Sequence, residues 1–300
     1  MKIGIFGGDT AGRTIDEVVA DARGAEADGF ASYALPQIFA LDAMGVLAVV
    51  GREVPRISLA TAVVPTYSRH PLTMAQQALT VQAASGGRFV LGIGLSHQLV
   101  IEGMFGLSFD KPVRHMREYL SVLMPLIHDG KASFKGETIR TEASIGVEPR
   151  IPCQVLVAAL GEQMLKLAGT VTDGTVTWMT GPATLASHTV PIINAAAAAA
   201  GRPAPQIASS LPICVTNDID AARARAARDF QVYGFLPSYR AMLDREGAEG
   251  PADVAIVGDD AAVEKHVRAL ADAGVTEYVA SVYGSREERT RTRALLKSML

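Results

Sequence analysis

Residues 86–97 read GGRFVLGIGLSH, an apolar run that ends in Gly92-x-Gly94-x-x-His97. A dinucleotide-binding loop wants Gly-x-Gly-x-x-Gly, ordinarily on the first strand, with an acidic residue about 20 positions later. Here the third position is His97, and the run is the fourth strand-like segment of the chain. Glycines inside a strand also mark close approach of a ligand. In that case His97 stands just past the C-terminal end of the strand, where barrel enzymes carry their catalytic groups. The plain alternative is a loop histidine with no chemistry.

Working outward, strand and helix signals alternate. KIGIFGG opens as a strand, and TIDEVVADARGAEADG follows with Ile15, Val18, Val19, Ala22 and Ala25 on one helical face and Gly29 at its end. FASYAL, RISLATAVV, RFVLGIG, CQVLVAAL, GTVTWM, IASSLPICV and EYVASVY complete eight strand candidates, almost all followed by a helix. Asp42 is placed to cap the helix of LDAMGVLAVVG, and Pro71 sits in a first helical turn. Continuously apolar strands suit a parallel sheet covered by helices. The expectation is a single (β/α)8 TIM barrel over residues 1–300, with a doubly wound open sheet as the alternative. Two insertions break the rhythm. Residues 131–143 read as a hairpin, and residues 232–260 as a long excursion of the kind that roofs an active site.

Composition narrows the function. A net charge of -3 leaves no basic stripe for nucleic acid. No apolar run approaches the length of about 20 residues that a membrane span needs. The N-terminal segment lacks a signal-peptide core, so a cytoplasmic protein is expected. Cys153 and Cys214 fall in apolar segments and read as small buried hydrophobes. Neither CxxC nor HExxH occurs, so no metal site is expected.

The segments LATAVVPTYSRHPLTMAQQALTVQAASGGRFVLGIGLSH, RHMREYLSVLMPLI, VLVAALGEQMLKLAGTVTDGTVTWMTGP and VGDDAAVEKHVRALADAGVTEYV together resemble the bacterial luciferase-like superfamily. They are most similar to its deazaflavin branch, the coenzyme F420-dependent oxidoreductases. The resemblance implies a luciferase-like barrel with F420 at its mouth, or FMN as the alternative cofactor. It implies a non-prolyl cis peptide at Ala62–Val63, flanked by Thr61, that supports the central ring. His97 takes the place of a polar or acidic residue near the hydride-transfer side, beside Gly94 and Ser96. Gln37 stands where a histidine is frequent, and Phe6 where some members have a glutamate.

The cofactor phosphate is expected at Ala159, Leu160, Gly161, Glu162 and Gln163, where a strand gives way to a helix N-terminus with free N–H groups. Trp178 and Met179, at the end of the sixth strand, would offer polarizable surface to a tricyclic ring. His97 and Gln37 are the catalytic candidates, facing a small organic substrate. The implied chemistry is hydride transfer at the deazaflavin C5. The rivals are an FMN-dependent monooxygenase, a deazaflavin-binding protein without turnover, and a cofactor-free barrel lyase or hydrolase. The family implies a homodimer.

Overall fold

A computed structural model of the chain describes residues 1–148 and 150–300. Its strands are β1 (Lys2–Phe6), β2 (Ser32–Leu35), β3 (Ser58–Thr61), β4 (Val64–Pro65), β5 (Phe89–Gly94), β6 (Lys131–Lys135), β7 (Arg140–Ser144), β8 (Gln154–Val157), β9 (Gly174–Trp178), β10 (Gln206–Ser210), β11 (Pro212–Val215), β12 (Ile256–Gly258) and β13 (Glu277–Val282). Parallel pairing runs β1-β2-β3-β5-β8-β9-β10-β13 and closes through β1 on β13, with Lys2 opposite Glu277 and Ile5 opposite Ala280. The eight expected strands therefore form a closed barrel, and the open sheet is excluded.

Side chains alternate across each strand with period two. Ile3, Ile5, Tyr33, Leu35, Leu59, Phe89, Leu91, Ile93, Val155 and Val157 are buried in the main core. Between them in sequence, Leu156, Val176 and Ala208 form a separate small cluster with Val90, Ala62, Val63 and Ala158 along the barrel axis. At the N-terminal end the axis is polar: Glu277 bonds the hydroxyl of Ser32 and accepts 2.7 Å from Gln206 Nε2.

The helix caps follow the residue types. Thr14 and Glu17 close a capping box on the helix Ile15–Asp28, and Gly29 ends it at φ 91°. Asp42 accepts from Gly45 N at 2.7 Å. Ile15, expected on the apolar face, is exposed, while Val18, Val19, Ala22 and Ala25 are buried. The hairpin expected at 131–143 is β6–β7. Its turn is held by Glu118, whose carboxylate accepts from the N–H groups of Glu137, Thr138 and Ile139 and from the Thr138 hydroxyl.

Two expectations need correction. RISLATAVV is interrupted between β3 and β4. IASSLPICV splits at Leu211, where the chain leaves its pairing with β9 and goes on as β11 between β13 and β12. The excursion 232–260 supplies β12 and the helices Pro237–Glu246 and Pro251–Val254. Among the described residues, no helix is long and apolar enough to cross a membrane.

Candidate active site

The break between β3 and β4 gives the opening stretch its meaning. The ladder from β3 to β5 ends at Ala60 opposite Val90 and resumes at Val64 opposite Ile93. Between these points the chain bulges through a cis Ala62–Val63 peptide. Thr61 fills the gap: its hydroxyl accepts from Gly92 N at 2.9 Å and donates to Gly92 O at 2.8 Å. A Cβ on Gly92 would run into the Thr61 carbonyl. One on Gly94 would lie 2.8 Å from Val63 Cγ2 and 3.2 Å from the Ala158 methyl. Gly92 makes room for the neighbouring backbone and Gly94 for the side chains of Val63 and Ala158. Neither is among the positive-φ glycines, so no phosphate-loop turn is formed.

Beyond β5, Ser96 takes a left-handed conformation at φ 60° and His97 caps the short helix Gln98–Gly103 through its backbone. The imidazole of His97 is half-buried and makes no hydrogen bond among the described residues. Burial holds its pKa below the ordinary histidine value, so the ring is neutral near pH 7. Its ring centroid lies 5.5 Å from that of Tyr239. From there an aromatic chain crosses to the far wall. Tyr239 meets Tyr233 edge-on at 5.1 Å, Tyr233 meets Trp178 at 5.6 Å, and Trp178 stacks on Phe6 at 5.9 Å. The buried indole N–H of Trp178 closes no hydrogen bond among the described residues.

The remaining expected residues fall in different settings. Ala62 and Val63 share the axial cluster with Ala158, and both are partly exposed at its top. Ala159 is buried, while Gly161, Glu162 and Gln163 are exposed at the start of the helix Glu162–Val171. No side chain caps that helix, and Glu162 turns aside to pair with Lys166 at 2.6 Å. The Leu160 carbonyl is held by His188 Nε2 at 2.8 Å, a contact that nothing near His188 in sequence announces. Met179 is wholly buried at φ 54° and offers no surface to a ligand.

The side chain of Gln37, expected to face the substrate, is engaged within the chain. Its side-chain oxygen accepts from Ala43 N at 2.9 Å, at the start of the helix Ala43–Glu53, and its amide donates to the Ile38 carbonyl. Its backbone N–H reaches the Val63 carbonyl at 3.4 Å, so it supports the bulge. His115, on the helix Pro112–His128, lies parallel to the Tyr67 ring at 3.8 Å and bonds the Thr66 hydroxyl at 3.0 Å, just beyond β4. Burial lowers its pKa to about 4. The Tyr67 hydroxyl is buried and unpartnered among the described residues.

The chain is similar in sequence and in fold to known proteins. An uncharacterized protein of Mycobacterium tuberculosis is 29% identical over 208 residues, covering 64% of this chain and 61% of its own length. The chain thus spans less than two thirds of that relative. A putative coenzyme F420-dependent oxidoreductase of the same organism is 26% identical over 275 residues, covering 85% of this chain and 76% of its own. The 5,10-methylenetetrahydromethanopterin reductase of Methanolobus tindarius is 28% identical over 218 residues, 72% of this chain and 66% of its own. Among solved structures, the coenzyme F420 dependent tetrahydromethanopterin reductase of Methanopyrus kandleri superposes with a TM-score of 0.80 at 22% identity, over 99% of this chain and 96% of that one. The FMN complex of a type II Baeyer–Villiger monooxygenase of Pseudomonas putida gives 0.77 at 15% identity, over 99% and 96%. The model of the luciferase-like monooxygenase family matches residues 1–288, and with the closed barrel and the bulge at its third strand, the chain belongs to that family.

Proposed function

We propose that this chain is a coenzyme F420-dependent oxidoreductase acting on a small organic substrate at the C-terminal mouth of the barrel. The observation that carries it is the bulge at Ala62–Val63, packed over Gly94 and Ala158. Small residues beneath a fixed backbone step leave room for a flat ring, and the relatives named for F420 favour the deazaflavin. When bound, F420 would exchange a hydride with the substrate at its C5.

The chain's own residues supply position and a proton route. Val63 would back the ring face, its carbonyl accepting from Gln37 N, while the Thr61 hydroxyl ties the same bulge to Gly92. The uncapped N–H groups of Gly161 to Gln163 offer donors to a phosphate. Trp178 forms a side wall with Phe6. His97, neutral and without a protein partner, holds or accepts a proton on a substrate oxygen, a role worth about 10²–10⁴ in rate. A homodimer is part of the proposal and is checked by light scattering.

Titration with F420, and separately with FMN, tests this reading through Trp178 fluorescence and a direct binding assay. Saturable binding of F420 with substrate-dependent turnover supports it. Preference for FMN with oxygen uptake moves the chain to the oxygen-using members. Binding without turnover in a substrate screen makes it a carrier.

A further inference from the structure

A row of aromatic groups stands at the strand ends of the barrel mouth. Tyr239, Tyr233 and Trp178 run from His97 to Phe6 in continuous ring contact. The loops beside them carry exposed apolar side chains. Phe39, after β2, meets Phe105 at 6.4 Å, and Leu99 and Met104 stand 77% and 62% exposed on the segment that His97 starts. Exposed apolar groups clustered at an opening mark what passes through it.

Four arginines at this end are engaged within the chain. Arg13 donates to the Gly7 carbonyl at 2.8 Å, and Arg69 and Arg114 pair with Asp42 and Glu137. Arg240 is spent on Asp244 and on the carbonyls of Ala248 and Glu249. Lys111 is exposed at the start of the helix Pro112–His128, and Arg245 lies beside Glu162, on the flank assigned to cofactor phosphate. An anionic substrate would therefore enter an apolar wall without a counter-ion, which costs far more than leaving it in water. Polar groups on the wall stand without a partner among the described residues, one of them the buried Trp178 indole N–H. Neither the His97 ring nor the Tyr239 hydroxyl bonds a protein group among the described residues.

We infer that the site selects an uncharged, largely apolar substrate with one oxygen function, its body against Trp178, Tyr233 and Tyr239 and its oxygen between His97 and the Tyr239 hydroxyl. The inference deepens the proposed function and rests on this mouth being the substrate site. It makes Tyr239 a specificity residue contributed by the late insertion.

The test measures dissociation constants of the full chain for phenylcyclohexanone and for the same ketone bearing a carboxylate on the phenyl ring, with and without F420. The expected result is binding of the neutral ketone at least about tenfold tighter than its carboxylate. Tyr239→Phe should lose about fivefold for the neutral ketone while its melting temperature stays within about two degrees of wild type. Equal binding of the two ketones, tighter binding of the carboxylate, or binding of neither overturns the inference. An unchanged affinity in Tyr239→Phe removes Tyr239 from it. Failure of F420 to bind, with the ketone preference intact, refutes the cofactor and leaves the substrate class standing.

Discussion

Replacing Thr61 by valine keeps the shape of the side chain and deletes one hydroxyl. That hydroxyl is 2% exposed as part of its residue and serves both the N–H and the C=O of Gly92. No backbone group replaces it, because the ladder is open between Ala60 and Val64. An orphaned buried amide costs about 1–3 kcal/mol, and the carbonyl adds to this. The extra methyl of valine returns about 0.8 kcal/mol. The net loss is about 2–3 kcal/mol. For 300 residues the unfolding entropy is about 0.6 kcal/mol per kelvin, so the melting temperature should fall by about 3–5 °C. Thr61→Ser, which keeps the hydroxyl, should lose only about 1 kcal/mol for its missing methyl. Hydrogen exchange resolved at single amides gives the sharper assay: the Gly92 amide should lose protection in the valine variant and keep it in the serine variant. A valine variant as stable as wild type, with Gly92 still protected, refutes the assignment of Thr61 as the bridge across the break.

Glu118 is raised by burial, but its bonds from Thr138, Glu137 and Ile139 outweigh that and hold its pKa at about 2 against 4.5. Its contribution is therefore complete above pH 4.5 and is lost as pH falls toward 2, and exchange in the 131–144 hairpin should speed up first over that window. Glu118→Gln should give the same fast exchange at pH 7, with no further pH dependence. His115 has the opposite cause, burial of a neutral ring, with a folded pKa of about 4 against 6.5. The unfolded chain takes up that proton first, so stability should drop as pH falls from 6.5 toward 4; His115→Phe should flatten this slope in pH-dependent melting. Gly92→Ala should lose about 3 kcal/mol or more, because its methyl meets backbone, and Gly94→Ala should fold with a smaller loss and weaken F420 binding about tenfold or more, as read by melting and titration.

Much of the barrel was legible because its signals are local. Period-two burial, Thr14 with Glu17, Asp42 and Pro71 each act within a few residues. The break in the third strand was not legible from composition, since TAVVP is as apolar as any buried strand; only the family resemblance placed it. The split at Leu211 escaped because both halves are buried equally, and what divides them is a change of partner to β12, far along the chain. Gln37 illustrates the limit for site residues. Its type permits substrate contact, but the position of Ala43 N, six residues on, takes its oxygen. The setting of His115 was not legible either, because its partners Thr66 and Tyr67 come from a distant strand end.

The same limit explains why Gly92-x-Gly94 could be mistaken for a phosphate loop. In such a loop glycine is needed so that the backbone can turn sharply and bring its N–H groups to an anion. Here both residues lie in regular strand, and the need for glycine comes from the opposite side of the contact, where Thr61 and Val63 intrude. One bulge therefore has two consequences. It excludes side chains at 92 and 94, and it displaces the backbone of 62 and 63 toward the mouth, where Val63 is partly exposed above Ala158. His97 then follows Gly94 by three residues, with the left-handed Ser96 turning the chain between them toward the lid and Tyr239. The fingerprint-like letters record how closely two strands approach. The proposed chemistry depends on what that approach positions: a ring support on one strand and a neutral histidine on the next.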